Sequence, residues 1–193
     1  EIQNPAEEPQ GLPFGDVAAD AWYAEAVEYV RDNGLMSGTS ATTFAPNDTM
    51  TRSMLATTLY REAGSPAVSG SDAFTDTQEG AWYADAISWA AGEGIVSGYG
   101  DTFGPNDPIT REQLAAILYR YAKLKGYDTS KSNKLDSFKD ADKVSSWAVE
   151  AMQWANAESL INGKSNSMLD PQGKATRAET AAILMRFMQN IAK

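Results

Sequence analysis

The chain has 193 residues, 42% hydrophobic and 22% charged, with no His, no Cys and a formal net charge of −10. That composition suits a globular fold, and the two zeros exclude disulfides, thiolate nucleophiles, His general bases, Ser-His-Asp triads and nearly every zinc site. Twenty-six acidic against 16 basic residues argue against nucleic acid and anionic membrane surfaces as partners, and no apolar run approaches the ~20 residues of a membrane span.

Residues 1–13 open with EIQNPAEEPQ, which is rich in Pro and Glu and reads as a tether from an upstream region. No secretory leader is visible, so the chain reads as a mature or excised piece. After it the sequence repeats itself three times. Phe14-Gly15-Asp16 returns as Phe74-Thr75-Asp76 and Phe138-Lys139-Asp140. Trp22, Trp82 and Trp147 follow at spacings of 60 and 65 residues. Gly34-Leu35-Met36-Ser37-Gly38 returns as Gly94-Ile95-Val96-Ser97-Gly98 and Ser159-Leu160-Ile161-Asn162-Gly163. Phe44-Ala45-Pro46 matches Phe103-Gly104-Pro105 and Leu169-Asp170-Pro171, and Thr51-Arg52 matches Thr110-Arg111 and Thr176-Arg177. Arg61 has counterparts in Arg120 and Arg186. The repeats run over 14–64, 74–126 and 138–191, with linkers at 64–72 (GSPAVSGSD) and between Tyr127 and Lys134.

Within each repeat the pattern predicts helix, loop, helix. Trp22, Ala26, Val27 and Val30 lie at the spacing of an amphipathic helix, as do Trp82, Ala86, Ile87 and Ala90, and Trp147, Ala151, Met152 and Ala155. Gly34 and Gly94 stand where a helix end requires a left-handed residue, a place taken by Ser159 in the third repeat. The following loop holds no convincing strand. A second helix starts at Thr51, Thr110 or Thr176, with apolar stripes such as Leu114, Ile117, Leu118 and Tyr121, or Leu184, Phe187, Met188 and Ile191. A helix pair cannot bury its own apolar face, so the three repeats are expected to pack on one another as one all-α domain.

These motifs resemble the S-layer homology (SLH) domain. The likeness is clearest in Gly94-Ile95-Val96-Ser97-Gly98, Phe103-Gly104-Pro105 and Ile109-Thr110-Arg111-Glu112, and it covers residues 14–191 as three modules. The resemblance implies a pseudo-threefold spindle around a central helical bundle with one helix from each repeat. It also implies non-covalent anchoring of a surface protein to the bacterial cell wall, outside the cell. The ligand implied is a secondary cell-wall polysaccharide, an acidic glycan often ending in pyruvylated N-acetylmannosamine, held in grooves between repeats. No cofactor is expected.

The recurrent residues carry competing readings. The T-x-x-E pattern of Thr176 to Glu179 is a capping box, and Thr110 to Gln113 fits it with Gln. Capping leaves Arg52, Arg111 and Arg177 unexplained, because a first-turn cation faces the positive end of the helix dipole. Each pairs with Asp16, Asp76 or Asp140, or forms an anion site from a helix N-terminus and a guanidinium fork. The resemblance supplies a pyruvate ketal carboxylate for that site. Gly38, Gly98 and Gly163 are turn residues with positive φ or points where a sugar approaches bare backbone. Trp22, Trp82 and Trp147 fit core at helical spacing better than sugar stacking, while Tyr23, Tyr83 and Tyr99 suit exposed platforms. The three Asp form turns, accept sugar hydroxyls or orient the Arg. The first repeat lacks the acid at Met54, and the third lacks the first Gly.

Other classes are weaker. Asp101 and Asp107 lack the spacing of a calcium loop. A glycoside hydrolase needs only paired carboxylates, but the recurrent ones are accounted for by turns and caps, so no enzyme is expected. A protein–protein or self-assembly module of the surface layer is the alternative to glycan anchoring.

Overall fold

In the computed structural model, residues 12–70 and 74–193 are described, so the tether at 1–10 and the end of the 64–72 linker lie outside the described residues. Among the described residues six α-helices form: α1 (Ala24–Asp32), α2 (Arg52–Glu62), α3 (Ala84–Gly92), α4 (Arg111–Lys125), α5 (Val149–Ala157) and α6 (Arg177–Asn190). Short 3-10 turns at Ala141–Lys143 and Ser146–Ala148 precede α5. Extended pairing among these residues is limited to isolated bridges.

The second helix of each repeat starts as its Thr dictates. Thr51, Thr110 and Thr176 accept the backbone N–H three residues on, and Gln113 and Glu179 reach back to close two capping boxes. The first helices bury the expected stripes: Ala26, Val27 and Val30; Ala86, Ile87 and Ala90; Ala151, Met152 and Ala155. Their ends turn through left-handed residues, Gly34 at φ 69°, Gly94 at φ 70° and Ser159 at φ 58°. The next residue then folds back, with Leu35, Ile95 and Leu160 each donating at 2.8 Å to the carbonyls of Val30, Ala90 and Ala155.

Helix pairing runs between repeats. α3 packs on α2, α5 on α4, and α1 on α6, so each first helix lies against the second helix of the preceding repeat and the last repeat closes onto the first. α4 buries Leu114, Ala115, Ala116, Ile117, Leu118, Tyr121 and Ala122 around most of its circumference, whereas the first helices bury one stripe. A helix apolar on all sides belongs inside, and the second helices accordingly form the centre, with Tyr121 of α4 and Phe187 of α6 meeting at a ring separation of 6.2 Å. At one end three backbone bonds close a triangle: Ile109 donates to Met50 (2.8 Å), Met50 to Ala175 (2.9 Å) and Ala175 to Ile109 (3.0 Å). The structure is thus the pseudo-threefold all-α spindle expected from the repeats.

Candidate functional site

The Thr-Arg arginines reach across repeat boundaries. Arg52 Nε donates to the Phe103 carbonyl (2.9 Å) and its Nη2 to that of Ser97 (2.7 Å). Arg111 makes the same pair of bonds to Leu169 (2.8 Å) and Asn162 (2.9 Å). Arg177 makes it to Phe44 (2.8 Å) and Ser37 (2.7 Å). Each guanidinium is buried. Burial pushes its pKa down from the ordinary arginine value, and nearby carboxylates such as Asp107, Glu179 and Asp48 oppose that shift. An arginine so bonded stays charged.

The helix N-termini are not open anion sites, which corrects that part of the sequence reading. The first two N–H groups of each second helix already have carbonyl partners in a neighbouring repeat. Arg52 and Ser53 donate to Asp107 and Pro105, Arg111 and Glu112 to Gly173 and Pro171, and Arg177 and Ala178 to Asp48 and Pro46. With the Thr cap on the third N–H, the first turn has no donor left for a ligand.

The aspartates also act differently from the sugar-contact and ion-pair readings. Asp16 accepts the N–H groups of Phe44 (2.9 Å) and Ala45 (2.7 Å), Asp76 those of Phe103 (2.7 Å) and Gly104 (2.8 Å), and Asp140 those of Leu169 (2.7 Å) and Asp170 (2.8 Å). Among the described residues none forms an ion pair with an arginine within 4.0 Å. Each instead staples the loop whose carbonyl receives the arginine of the adjoining repeat. Burial alone would raise the three carboxyl pKa values, but the paired backbone donors outweigh it and hold them below the usual 3.8. A depressed folded-state pKa stabilises the fold above the unfolded pKa, and that contribution is lost as pH falls through the folded value. The urea midpoint is therefore expected to be flat above about pH 5 and to drop below about pH 4, and Asp140→Asn, less stable at neutral pH, to show a shallower acid slope than the wild type.

Gly38, Gly98 and Gly163 do not have positive φ, so the turn reading fails for them. An added Cβ at each would lie well inside 3 Å of the ring of Phe14, Phe74 or Phe138. The Phe of each F-x-D motif occupies that space, and the glycine itself lines a cavity.

The tryptophans overturn the core reading. Trp22, Trp82 and Trp147 are 66%, 61% and 53% exposed. The helical spacing misled because α1, α3 and α5 begin two residues after each Trp, at Ala24, Ala84 and Val149. The rings therefore stand on the turn before the helix.

These residues converge in three equivalent grooves. Groove A, about 300 Å³, joins the Gly38 loop and Arg61 of the first repeat, Trp82 of the second and Arg177 of the third. Groove B, about 340 Å³, joins the Gly98 loop, Gln113 and Arg120 of the second repeat, Trp147 of the third and Arg52 of the first. Groove C, about 220 Å³, joins the Gly163 loop, Glu179 and Arg186 of the third repeat, Trp22 of the first and Arg111 of the second. All three repeats contribute to every groove. Asp16, Asp76 and Asp140 line none of them.

Arg61, Arg120 and Arg186 belong to the site, although their recurrence was the only sign of it in the sequence. Each lies nine residues beyond its Thr-Arg arginine, two and a half turns on and therefore on the opposite side of the helix, so the two arginines of one helix serve different grooves: Arg52 lines groove B and Arg61 groove A, Arg111 groove C and Arg120 groove B, Arg177 groove A and Arg186 groove C. Arg61 is exposed with no acceptor among the described residues, while Arg120 and Arg186 make only long contacts of 3.4–3.5 Å to backbone carbonyls. Their guanidinium groups are the less committed cations. A larger cavity of about 550 Å³ lies between Gly70 and the start of α3, but among the described residues no cation lines it.

The grooves differ where the third donor of the buried arginine points. In groove B the Nη1 of Arg52 has no acceptor among the described residues, and the guanidinium stacks between Tyr99 (4.7 Å) and Phe103 (4.5 Å). In groove A the Nη1 of Arg177 faces the Met54 sulfur at 3.8 Å. In groove C that of Arg111 lies 3.9 Å from Glu179.

The S-layer homology domain family model matches residues 13–53, 73–115 and 137–181. The chain belongs to this family. Its SLH repeats have relatives of several kinds. The chain is 33% identical over 173 residues to the surface-layer 125 kDa protein of Lysinibacillus sphaericus, covering 86% of this chain and 14% of that protein. It is 32% identical over 176 residues to an amylopullulanase of Thermoanaerobacterium thermosulfurigenes, covering 91% of this chain and 9% of the enzyme. It is 26% identical over 151 residues to a cellulosome-anchoring protein of Acetivibrio thermocellus, covering 76% of this chain and 33% of that protein. The chain thus spans only a minor part of the relatives it matches. Among the described residues no helix is long and apolar enough to cross a membrane.

Proposed function

We propose that this SLH triplet anchors a larger surface protein to the bacterial cell wall by holding an acidic secondary cell-wall polysaccharide in its three grooves. The chain itself performs no chemistry and acts outside the cell. The observation that carries the reading is the makeup of each groove: a buried guanidinium, a second and freer arginine, an exposed Trp ring and bare glycine backbone. A flat aromatic face suits a pyranose ring, bare backbone lets it approach, and paired guanidinium groups suit a carboxylate. Pyruvylated N-acetylmannosamine offers both the pyranose ring and the carboxylate. The family resemblance and the printed names of the surface-layer and cellulosome-anchoring relatives support the same reading. The three repeats, bounded at 14–64, 74–126 and 138–191, act as one binding unit.

Groove B is the strongest site, because its buried arginine keeps a donor free and its Tyr99 hydroxyl is fixed by Gln113 at 2.8 Å. Calorimetry with purified pyruvylated wall polymer tests the reading. Arg120→Gln is expected to weaken groove B binding roughly tenfold, the loss of one charge-assisted contact, without loss of stability. Polymer stripped of its ketal by mild acid is expected to bind at least as weakly. Equal binding of native and stripped polymer overturns the carboxylate, and no binding of either overturns anchoring through glycan. Sedimentation without polymer reports any self-assembly.

A further inference from the structure

Groove B does not end at Trp147. A second cavity of about 210 Å³ shares its walls Ala116, Arg120 and Trp147, and continues to Tyr119, Lys123, Glu150 and Ala151. We infer that this extension is a second subsite that holds a neutral sugar residue next to the acidic one, so that groove B reads a disaccharide. The inference rests on the glycan reading above.

Three observations support it. First, Trp147 stands between the two compartments, exposed, with both of them against it. Second, the extension carries a prearranged polar platform. The buried Tyr119 donates its hydroxyl to Glu150 Oε1 at 2.5 Å, and Lys123 Nζ sits 3.6 Å from that oxygen and 4.1 Å above the Tyr119 ring. Exposed ion pairs are usually loose and nearly neutral in energy. This one is tied to a buried ring, so its ammonium donors and carboxylate acceptors are held beside an apolar floor of Ala116 and Ala151. Vicinal sugar hydroxyls need that combination of donors and acceptors. The ammonium and carboxylate cancel in charge, so the occupant is neutral, while Arg52 and Arg120 take the acid in the first compartment. Third, the platform is particular to groove B. By repeat register Lys123 corresponds to Gly64 and Gln189, and Tyr119 to Tyr60 and Met185.

The test follows the backbone amide resonances of Gly98 and Tyr99, which report groove B alone. Two probes are titrated: the methyl glycoside of pyruvylated N-acetylmannosamine, and the same sugar linked through its reducing end to one further N-acetylhexosamine. The wild type is expected to bind the disaccharide about tenfold more tightly, the effect of one or two added hydrogen bonds. A Lys123→Ala, Glu150→Gln double variant, which leaves the buried Tyr119 in place, is expected to bind both probes with the wild-type monosaccharide affinity. Equal wild-type affinities for the two probes overturn the second subsite while leaving the first. Persistence of the tenfold gain in the double variant overturns its assignment to Lys123 and Glu150. Failure of either probe to move Gly98 and Tyr99 overturns the glycan reading and the subsite with it.

Discussion

Replacing Arg177 by alanine lowers the stability of the domain by about 4 kcal/mol, because two buried carbonyls lose charge-assisted donors together. Nε and Nη2 serve Phe44 and Ser37, and the guanidinium lies 4.6 Å over the Phe44 ring. Deleting the side chain leaves both acceptors dry and unpartnered, with a cavity beside an aromatic ring. The site also ties α6 to the loop that follows α1, beside the one helix pairing that closes the last repeat onto the first. Urea unfolding at neutral pH measures the loss. Arg177→Lys recovers less than half of it, since one ammonium cannot serve two carbonyls in the geometry of a planar fork. A loss below about 1 kcal/mol for the alanine variant, the range of an ordinary surface change, contradicts the assignment. Arg61→Gln in the same groove is expected to leave stability within about 0.5 kcal/mol of wild type. The contrast has a practical side for testing the proposed function: loss of glycan binding in an Arg177 variant would report damage to the fold, whereas the Arg61, Arg120 and Arg186 series would test the proposed ligand contact without it.

Gly98→Ala is expected to destabilise by about 3 kcal/mol and Gly163→Ala by about half as much, within the range for forced overpacking. At Gly98 the new methyl overlaps both the Phe74 ring and the Thr102 carbonyl oxygen, and a backbone atom cannot move aside cheaply. At Gly163 the overlap is with the Phe138 ring alone, and the nearest backbone oxygen, that of Met168, stays at 3.4 Å. Shrinking the ring should therefore rescue only the second. Phe138→Leu combined with Gly163→Ala is expected to show favourable coupling in a double-mutant cycle, and Phe74→Leu with Gly98→Ala much less. Equal coupling in both pairs contradicts this account.

The caps, the helix stripes and the left-handed turns at Gly34 and Gly94 were legible because their causes lie within a turn or two of chain. The roles of the recurrent site residues were less so. The Arg partners are 51, 58 and 133 residues away in sequence, on another repeat, so a local reading sees an unexplained cation and divides it between an aspartate partner and a ligand. The same distance hid the carbonyls that occupy the helix N-termini. Gly38, Gly98 and Gly163 were read as turn residues or bare backbone, and the Phe rings that require the absent side chain come from the start of the same repeat. The Trp residues failed for a different reason: periodicity counts a position as helical before the helix has begun. Repetition itself was the most informative signal, and Arg61, Arg120 and Arg186 show that every recurrent residue merits a role.

The bonds between repeats form a closed cycle, first to second, second to third and third to first, and no link in that cycle depends on the peptide chain that joins the repeats. Three separate copies of one repeat would satisfy the same pattern as a symmetric trimer. Covalent fusion therefore adds freedom to diverge more than it adds contacts. In a trimer of identical chains every groove would share one chemistry. Here the equivalent position on the second helix is a thioether in one groove, an amide in the next and a carboxylate in the third. Fusion thus turns a single groove copied three times into three grooves that can diverge separately, while deletion of any one repeat leaves none of them complete.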